Sequence, residues 1–121
     1  MKKRILIIDD SESIRELLGN ALENAGYDVI KAIDGKDGVS KLEEPNIFLI
    51  ISDLNMPQMD GIEVIKHLRK HPVYQFTPII VLTTESQEAK RMEAKEAGAT
   101  GWMTKPFNTD KLITVIKKII R

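Results

Sequence analysis

Asp9-Asp10, Asp53, Thr83 and Lys105 are the residues of this chain whose types and settings could do chemistry together. Three of these places end an aliphatic run: Ile5-Leu6-Ile7-Ile8 leads into Asp9-Asp10, Ile47 to Ser52 into Asp53, and Ile79-Ile80-Val81-Leu82 into Thr83. Lys105 follows the shorter stretch Thr100 to Thr104. Apolar runs without alternation suit strands covered on both faces, as in a parallel sheet, and the loops at the carboxyl ends of such strands are where ligands sit. If the strands ending in Asp9-Asp10 and Asp53 are neighbours, roughly 5 Å apart, three carboxylates crowd one edge. Like charges that close raise one another's pKa unless a cation intervenes. Oxygen donors with no His or Cys beside them favour a hard divalent ion, and a few carboxylates, a backbone carbonyl and waters suit Mg²⁺. A carboxylate held against Mg²⁺ can attack a phosphoryl group, because the metal neutralises and aligns the group being transferred.

Each residue also has a plainer reading. An acid between a strand and a helix is commonly an N-cap, Asp53-Leu54-Asn55-Met56-Pro57 is also an ordinary turn, and Thr83 could simply end a strand. Lys105 alone reads as a solvated charge and Trp102 alone as core. Their joint placement at the carboxyl ends of different strands favours the chemical reading.

The elements that must position them follow from periodicity. Ile14, Leu17, Leu18, Ala21, Leu22 and Ala25 have the spacing of a helix buried on one face, with Gly26 at its stop. A strand at 29–32 follows. Asp34-Gly35 caps a short helix with Val39 and Leu42 inward, and Pro45 bars its continuation into the strand before Asp53. Asp60 to Glu63 has capping-box spacing and opens a helix with Ile62, Ile65 and Leu68 inward. Thr84 to Gln87 offers a second capping box, for a helix whose thin inner face is Ala89, Met92 and Ala97. A fifth strand at 100–104 and a closing helix with Leu112, Val115, Ile116, Ile119 and Ile120 inward complete the pattern. Five strands alternating with five helices define an α/β fold, a doubly wound open parallel sheet with right-handed crossovers. Strand order 2-1-3-4-5 is expected from the fold class; no stretch of sequence fixes it directly.

Bulk properties bound the function. The chain has 121 residues, 18 basic and 18 acidic, so no global field favours nucleic acid. It has no cysteine, which excludes thiolate metal sites and cysteine nucleophiles. No apolar run approaches the ~20 residues of a membrane span, and four aliphatics after Lys2-Lys3-Arg4 are too few for a secretory signal. A cytoplasmic, monomeric protein is expected. His67 and His71 read as solvated surface.

Over its whole length the chain resembles the receiver domains of two-component response regulators, which have the flavodoxin-like sheet. The match rests on Asp9-Asp10, on Asp53-Leu54-Asn55-Met56-Pro57 with Gly61, on Thr83, and on Lys105-Pro106-Phe107. The resemblance implies that a histidine kinase phosphorylates Asp53. It also implies that Asp10, Asp53 and the carbonyl of Asn55 bind Mg²⁺, with Asp9 acting chiefly through a metal-bound water. Thr83 and Lys105 should each contact a phosphoryl oxygen, Lys105-Pro106 should be cis, and Thr83 and Trp102 should form the switch. Two positions depart from the family: Trp102 stands where Tyr or Phe is usual, and Thr84 where Ala or Gly is common, so its β-branch narrows access to Asp53.

One receiver domain, residues 1–121, without an output domain is expected, so that output is a protein contact. Thr83-Thr84-Glu85 and Gly98 to Phe107 extend the resemblance to stand-alone chemotaxis regulators of the CheY type, which bind the flagellar motor switch protein. The alternative is a phosphorelay intermediate that passes its phosphoryl group to a histidine phosphotransfer domain. An aspartyl-phosphate hydrolase is disfavoured by Asn55, since such enzymes need a second acid there. A flavodoxin-like ligand carrier is disfavoured because no Gly- or Ser-rich loop follows the first strand.

Overall fold

The computed structural model describes residues 2–120. Met1 and Arg121, the outermost residues of the expected domain, lie outside that range. In chain order the elements are β1 (Arg4–Ile8), α1 (Glu12–Asn24), β2 (Asp28–Ala32), α2 (Gly35–Ser40), a 3₁₀ turn (Lys41–Glu43), β3 (Ile47–Ser52), α3 (Gly61–Arg69), β4 (Ile79–Thr83), α4 (Glu88–Ala97), β5 (Gly101–Thr104) and α5 (Thr109–Ile119). The strands form one parallel sheet in the order β2-β1-β3-β4-β5, as the fold class requires.

Alternation along each strand divides the core in two. Leu6, Ile8, Ile50, Ile79 and Val81 pack with Leu42, Ile62, Ile65, Leu68 and Ala94 on the face covered by α2, α3 and α4. Ile5, Ile7, Leu49, Ile51, Ile80 and Leu82 pack with Leu18, Leu22, Leu112 and Ile116 from α1 and α5 on the other. Both faces are covered, which is why the strands read as continuous apolar runs.

Caps fix where the helices begin. The Ser11, Asp34, Asp60 and Asn108 side chains each accept the N–H of the residue three positions on, opening α1, α2, α3 and α5. Helix α4 differs: its N-cap, Gln87, makes no side-chain cap. The capping box expected from Thr84 to Gln87 does not form, because Thr83 Oγ1 takes the Glu85 N–H and Glu85 Oε2 takes the Gln87 N–H, in a turn that delays the helix to Glu88.

Several expected inner residues lie outside. Leu17 is 50% exposed, displaced one residue around α1 from the buried Leu18. On α4, Ala89 is exposed and Met92 is 45% exposed, and Ala94 is the buried contact instead. Phe48 is 43% exposed, although Ile47 beside it at the start of β3 is buried. On α2 the closest face is Gly38 rather than Val39: a Cβ at 38 would lie 2.4 Å from Ile8 Cδ1.

Candidate phosphoryl-acceptor site

Register brings the acids together. Ile8 pairs with Ser52, so Asp9 and Asp53 each stand one residue past a matched pair of neighbouring strand ends. Backbone bonds hold both ends, Asp9 N–H to Ala32 O at 3.2 Å and Asp53 N–H to Ile8 O at 2.9 Å. Asp9, Asp10 and Asp53 each offer a carboxylate oxygen within 4.8 Å of the others. Asp9 is buried, Asp53 nearly so, and Asp10 is exposed.

Lys105 reaches this cluster from the other side. Its backbone N–H bonds Thr83 O at 2.8 Å, and the Lys105-Pro106 peptide that follows is cis, as the resemblance implied. Lys105 Nζ lies 2.7 Å from Asp9 Oδ2 and 3.1 Å from Asp53 Oδ2, bridging the two carboxylates. The free Oδ1 of each is held by backbone, Asp9 by Ser11 N–H at 2.9 Å and Asp53 by Leu54 N–H at 2.6 Å. Burial raises the Asp9 pKa above the usual carboxylate value, aided by the Asp53 charge, and the hydrogen bonds from Lys105 and Ser11 offset this only in part. For Lys105 burial acts downward, but the bonds and charges of Asp9 and Asp53 outweigh it and hold the ammonium above its usual value.

Thr83 is fully buried at the end of β4. Its Oγ1 accepts the Glu85 N–H at 3.2 Å, which leaves the hydroxyl proton available to an incoming acceptor. Asn55 is exposed in the loop after β3, and its side-chain amide reaches Glu85 Oε1 at 3.5 Å, across the mouth of the site. Gly61 lets that loop return: its N–H bonds Leu54 O at 2.7 Å, and a Cβ there would stand 2.5 Å from Asp53 O. Thr84 is exposed beside Thr83. Trp102 pairs in register with Val81 and is half-buried. It lines two grooves, about 720 Å³ on the α5 side of β5 and about 340 Å³ on the α4 side.

Other residues complete the setting without a signal in the sequence pattern. Arg15 Nη1 donates to Asp9 O at 2.6 Å and steadies the peptide that leads into Asp10. His71, expected as solvated surface, is half-buried: it stacks on Tyr74, and its Nδ1 accepts the N–H groups of Val73 and Tyr74.

A carboxylate cluster at the carboxyl edge of a doubly wound sheet, bridged by a lysine that directly follows the last strand, defines the class. The chain belongs to the response regulator receiver domain family, whose model matches residues 5–117. It is 42% identical over 121 residues to the alkaline phosphatase synthesis transcriptional regulatory protein PhoP of Bacillus subtilis, a match covering 100% of this chain and 50% of that protein. It is 37% identical to the transcriptional regulatory protein SrrA of Staphylococcus aureus, covering 49% of it. The chain thus spans about half the length of these curated relatives. Among solved structures it resembles the chemotaxis protein CheY4 of Vibrio cholerae, with a TM-score of 0.93 and 42% identity over 98% of this chain and 99% of that one. A CheY-like receiver domain protein from Methanospirillum hungatei gives a TM-score of 0.91 at 30% identity, covering 98% of this chain and 93% of the other. Receiver domains are signalling proteins phosphorylated by histidine kinases, and they generally bind Mg²⁺ at an acidic pocket. The donor set here, all oxygen and with one exposed acid, fits such an ion. Among the described residues no helix is long and apolar enough to cross a membrane.

Proposed function

We propose that Asp53 is the residue a histidine kinase phosphorylates, with Mg²⁺ held by Asp9, Asp10, Asp53 and the Asn55 carbonyl, and that the phosphorylated chain signals by contacting another protein in the cytoplasm. The Lys105 bridge carries this reading. It sets a cation 3.1 Å from one oxygen of the nucleophile, beside three clustered carboxylates. An Asp53 oxygen attacks phosphorus as the bond to the donor breaks, the nitrogen of a phosphohistidine or the oxygen of an acyl phosphate, and the electron pair leaves with the donor. Lys105 then pairs with a phosphoryl oxygen, and the Thr83 hydroxyl donates to another. Bound Mg²⁺ would supply charge neutralisation for the transferring oxygens. Asp9, already fastened by Ser11 and Lys105, keeps its carboxylate facing that centre.

Thr83 and Trp102 form the switch in this reading, and the output face is α4, β5 and α5. Control of the flagellar motor by contact with its switch protein is the preferred output, supported by the 42% identity to CheY4 and the TM-score of 0.93. A second reading has its own support: PhoP and SrrA are transcriptional regulators, so the same switch could govern DNA-directed output. Transfer onward to a histidine phosphotransfer domain is the relay version. Phosphorylated protein incubated with a motor switch protein and, separately, with a phosphotransfer domain should bind the first and keep its phosphoryl group with the second. Loss of the group to the phosphotransfer domain, with no motor binding, would replace the chemotaxis reading by the relay.

A further inference from the structure

At the amino edge of the sheet a groove of about 430 Å³ is walled by Phe48, Val73, Phe76, Pro78, Ile119 and Ile120. It lies at the opposite end of β3 from Asp53, roughly 17 Å away along the strand. Phe48 is 43% exposed, Val73 72% and Phe76 88%. Gathered around one groove, they make an apolar patch of a few hundred Å², the kind of exposure that marks an interaction site.

The loop that presents two of these side chains is firmly held. Arg69, the last residue of α3, clamps it: Nη1 donates to Gln75 O at 3.1 Å and Thr77 O at 2.6 Å, while Nε and Nη2 donate to Gly98 O at 3.1 and 2.7 Å. His71 Nδ1 accepts the Val73 and Tyr74 N–H groups, each at 3.1 Å. Tyr74 turns inward and is buried, its hydroxyl donating to Glu44 O and accepting the Ile47 N–H. Val73 and Phe76, on either side of it, are left pointing outward from an ordered backbone. Apolar anchors held in place before binding lose little freedom when a partner covers them.

Charge narrows the choice of partner. Lys3 Nζ sits over the Phe48 ring, 5.6 Å from its centroid, and the exposed Lys2 precedes it. Lys117 and Lys118, both exposed, come just before Ile119 and Ile120 in the last turn of α5, and the exposed Lys70 heads the clamped loop. The acids of this edge stand aside: Glu43 and Glu44 lie in the turn before β3, with Glu44 paired to Arg4 at 3.9 Å, and Asp28 starts β2 on the far side of β1. Among the described residues no acid lines the groove. An apolar recess rimmed by lysines complements apolar side chains flanked by carboxylates. A two-fold contact with a second copy would instead set the same lysines against one another, and the patch is well short of the ~800 Å² per partner of a stable interface.

We propose that this groove docks a protein segment carrying a large apolar side chain between acidic residues. Occupancy there leaves the phosphoryl-acceptor edge open, and the assignment does not rest on the reading of Asp53.

A displayed library of random peptides, depleted on Phe76→Ser and then selected on the wild type, tests it. Phe76 is so exposed that the variant should keep the wild-type midpoint in urea, and Val73→Ser repeats the comparison independently. Retained peptides should carry Phe or Leu flanked by Asp or Glu and bind the wild type at least about tenfold more tightly than either variant. Changing Lys117→Glu together with Lys118→Glu should weaken them by a similar factor, and added salt should weaken them as well. Amide shifts on binding should fall at residues 47–48, 73–78 and 119–120 and not at 53–55. No retained peptide, peptides without acids, equal binding by wild type and both variants, or shifts confined to 53–55 would overturn the proposal. Wild-type dimerisation in sedimentation that Phe76→Ser abolishes would assign the groove to a second copy. Pelleting with phosphatidylglycerol vesicles that the same change abolishes would assign it to a lipid surface. Either result replaces the acidic segment.

Discussion

Asp9 shows what the site costs the fold. Its native pKa is raised, so the stability it contributes is present below its unperturbed value of 3.8 and lost as pH rises through the raised one. Ionising Asp9 therefore costs the fold stability, and Mg²⁺ should relieve it. For Lys105 the sign gives the opposite practical result: its contribution is complete below 10.5 and disappears only as pH rises through a still higher native value. A hundredfold excess of Mg²⁺ over its dissociation constant should stabilise the protein by about 2.7 kcal/mol, read as a shift in urea denaturation at neutral pH. Asp10→Asn removes an exposed like charge that no hydrogen bond secures among the described residues. It should raise the metal-free melting temperature by about 2 °C and abolish most of the Mg²⁺ effect. A melting temperature that falls would show Asp10 to be a structural partner instead. Thr84 stands exposed beside Thr83, and Thr84→Ala should shorten the lifetime of the phosphorylated protein; an unchanged or longer lifetime contradicts the access argument. The acids, Thr83 and Lys105 were legible in the sequence because each directly follows a strand signal. Arg15 and Glu85 were not, since their partners are brought near only by the folded loops.

At the scale of elements, sequence periodicity located every strand and helix but misjudged helix faces and one start. The Thr84 to Gln87 spacing promised a cap, yet the same atoms served the turn around Thr83, a competition that spacing alone does not reveal. Asp60 shows the opposite case, where its carboxylate takes the Glu63 N–H at 2.9 Å and α3 starts as expected. The thin inner face of α4 was visible as a scarcity of large apolar residues, although the buried residue proved to be Ala94. The Arg69 clamp was invisible, because an arginine ending a helix looks like ordinary dipole compensation until its carbonyl partners are known. Gly61 was legible only as part of a turn, and the structure shows why a side chain there is excluded. Gly61→Ala should cost about 1–3 kcal/mol, as other overpacked sites do, and should slow phosphorylation by moving Leu54 and Asp53. An unchanged denaturation midpoint would mean the loop yields freely.

For the whole molecule, the sheet order came from the fold class, and the structure bears it out with β1 between β2 and β3. That order is what sets Asp9-Asp10 beside Asp53, so the carboxylate cluster depends on topology more than on any local motif. The two cores lie on opposite faces of one sheet and should unfold together. Ile65→Ala on one face and Ile116→Ala on the other should each cost about 2–5 kcal/mol in a single urea transition, and two separate transitions would show the faces to be independent. The output partner was not legible, since a balanced charge of 18 basic and 18 acidic residues points to no class of partner. The relatives divide in the same way between transcriptional regulators and a chemotaxis protein. The central claim, that Asp53 accepts a phosphoryl group in a Mg²⁺-dependent reaction, is tested most directly by intact-mass measurement after incubation with acetyl phosphate. The wild type with Mg²⁺ should gain one phosphoryl group, whereas the wild type without the metal and Asp53→Asn with it should gain none. Equal labelling of the wild type and Asp53→Asn would contradict the account.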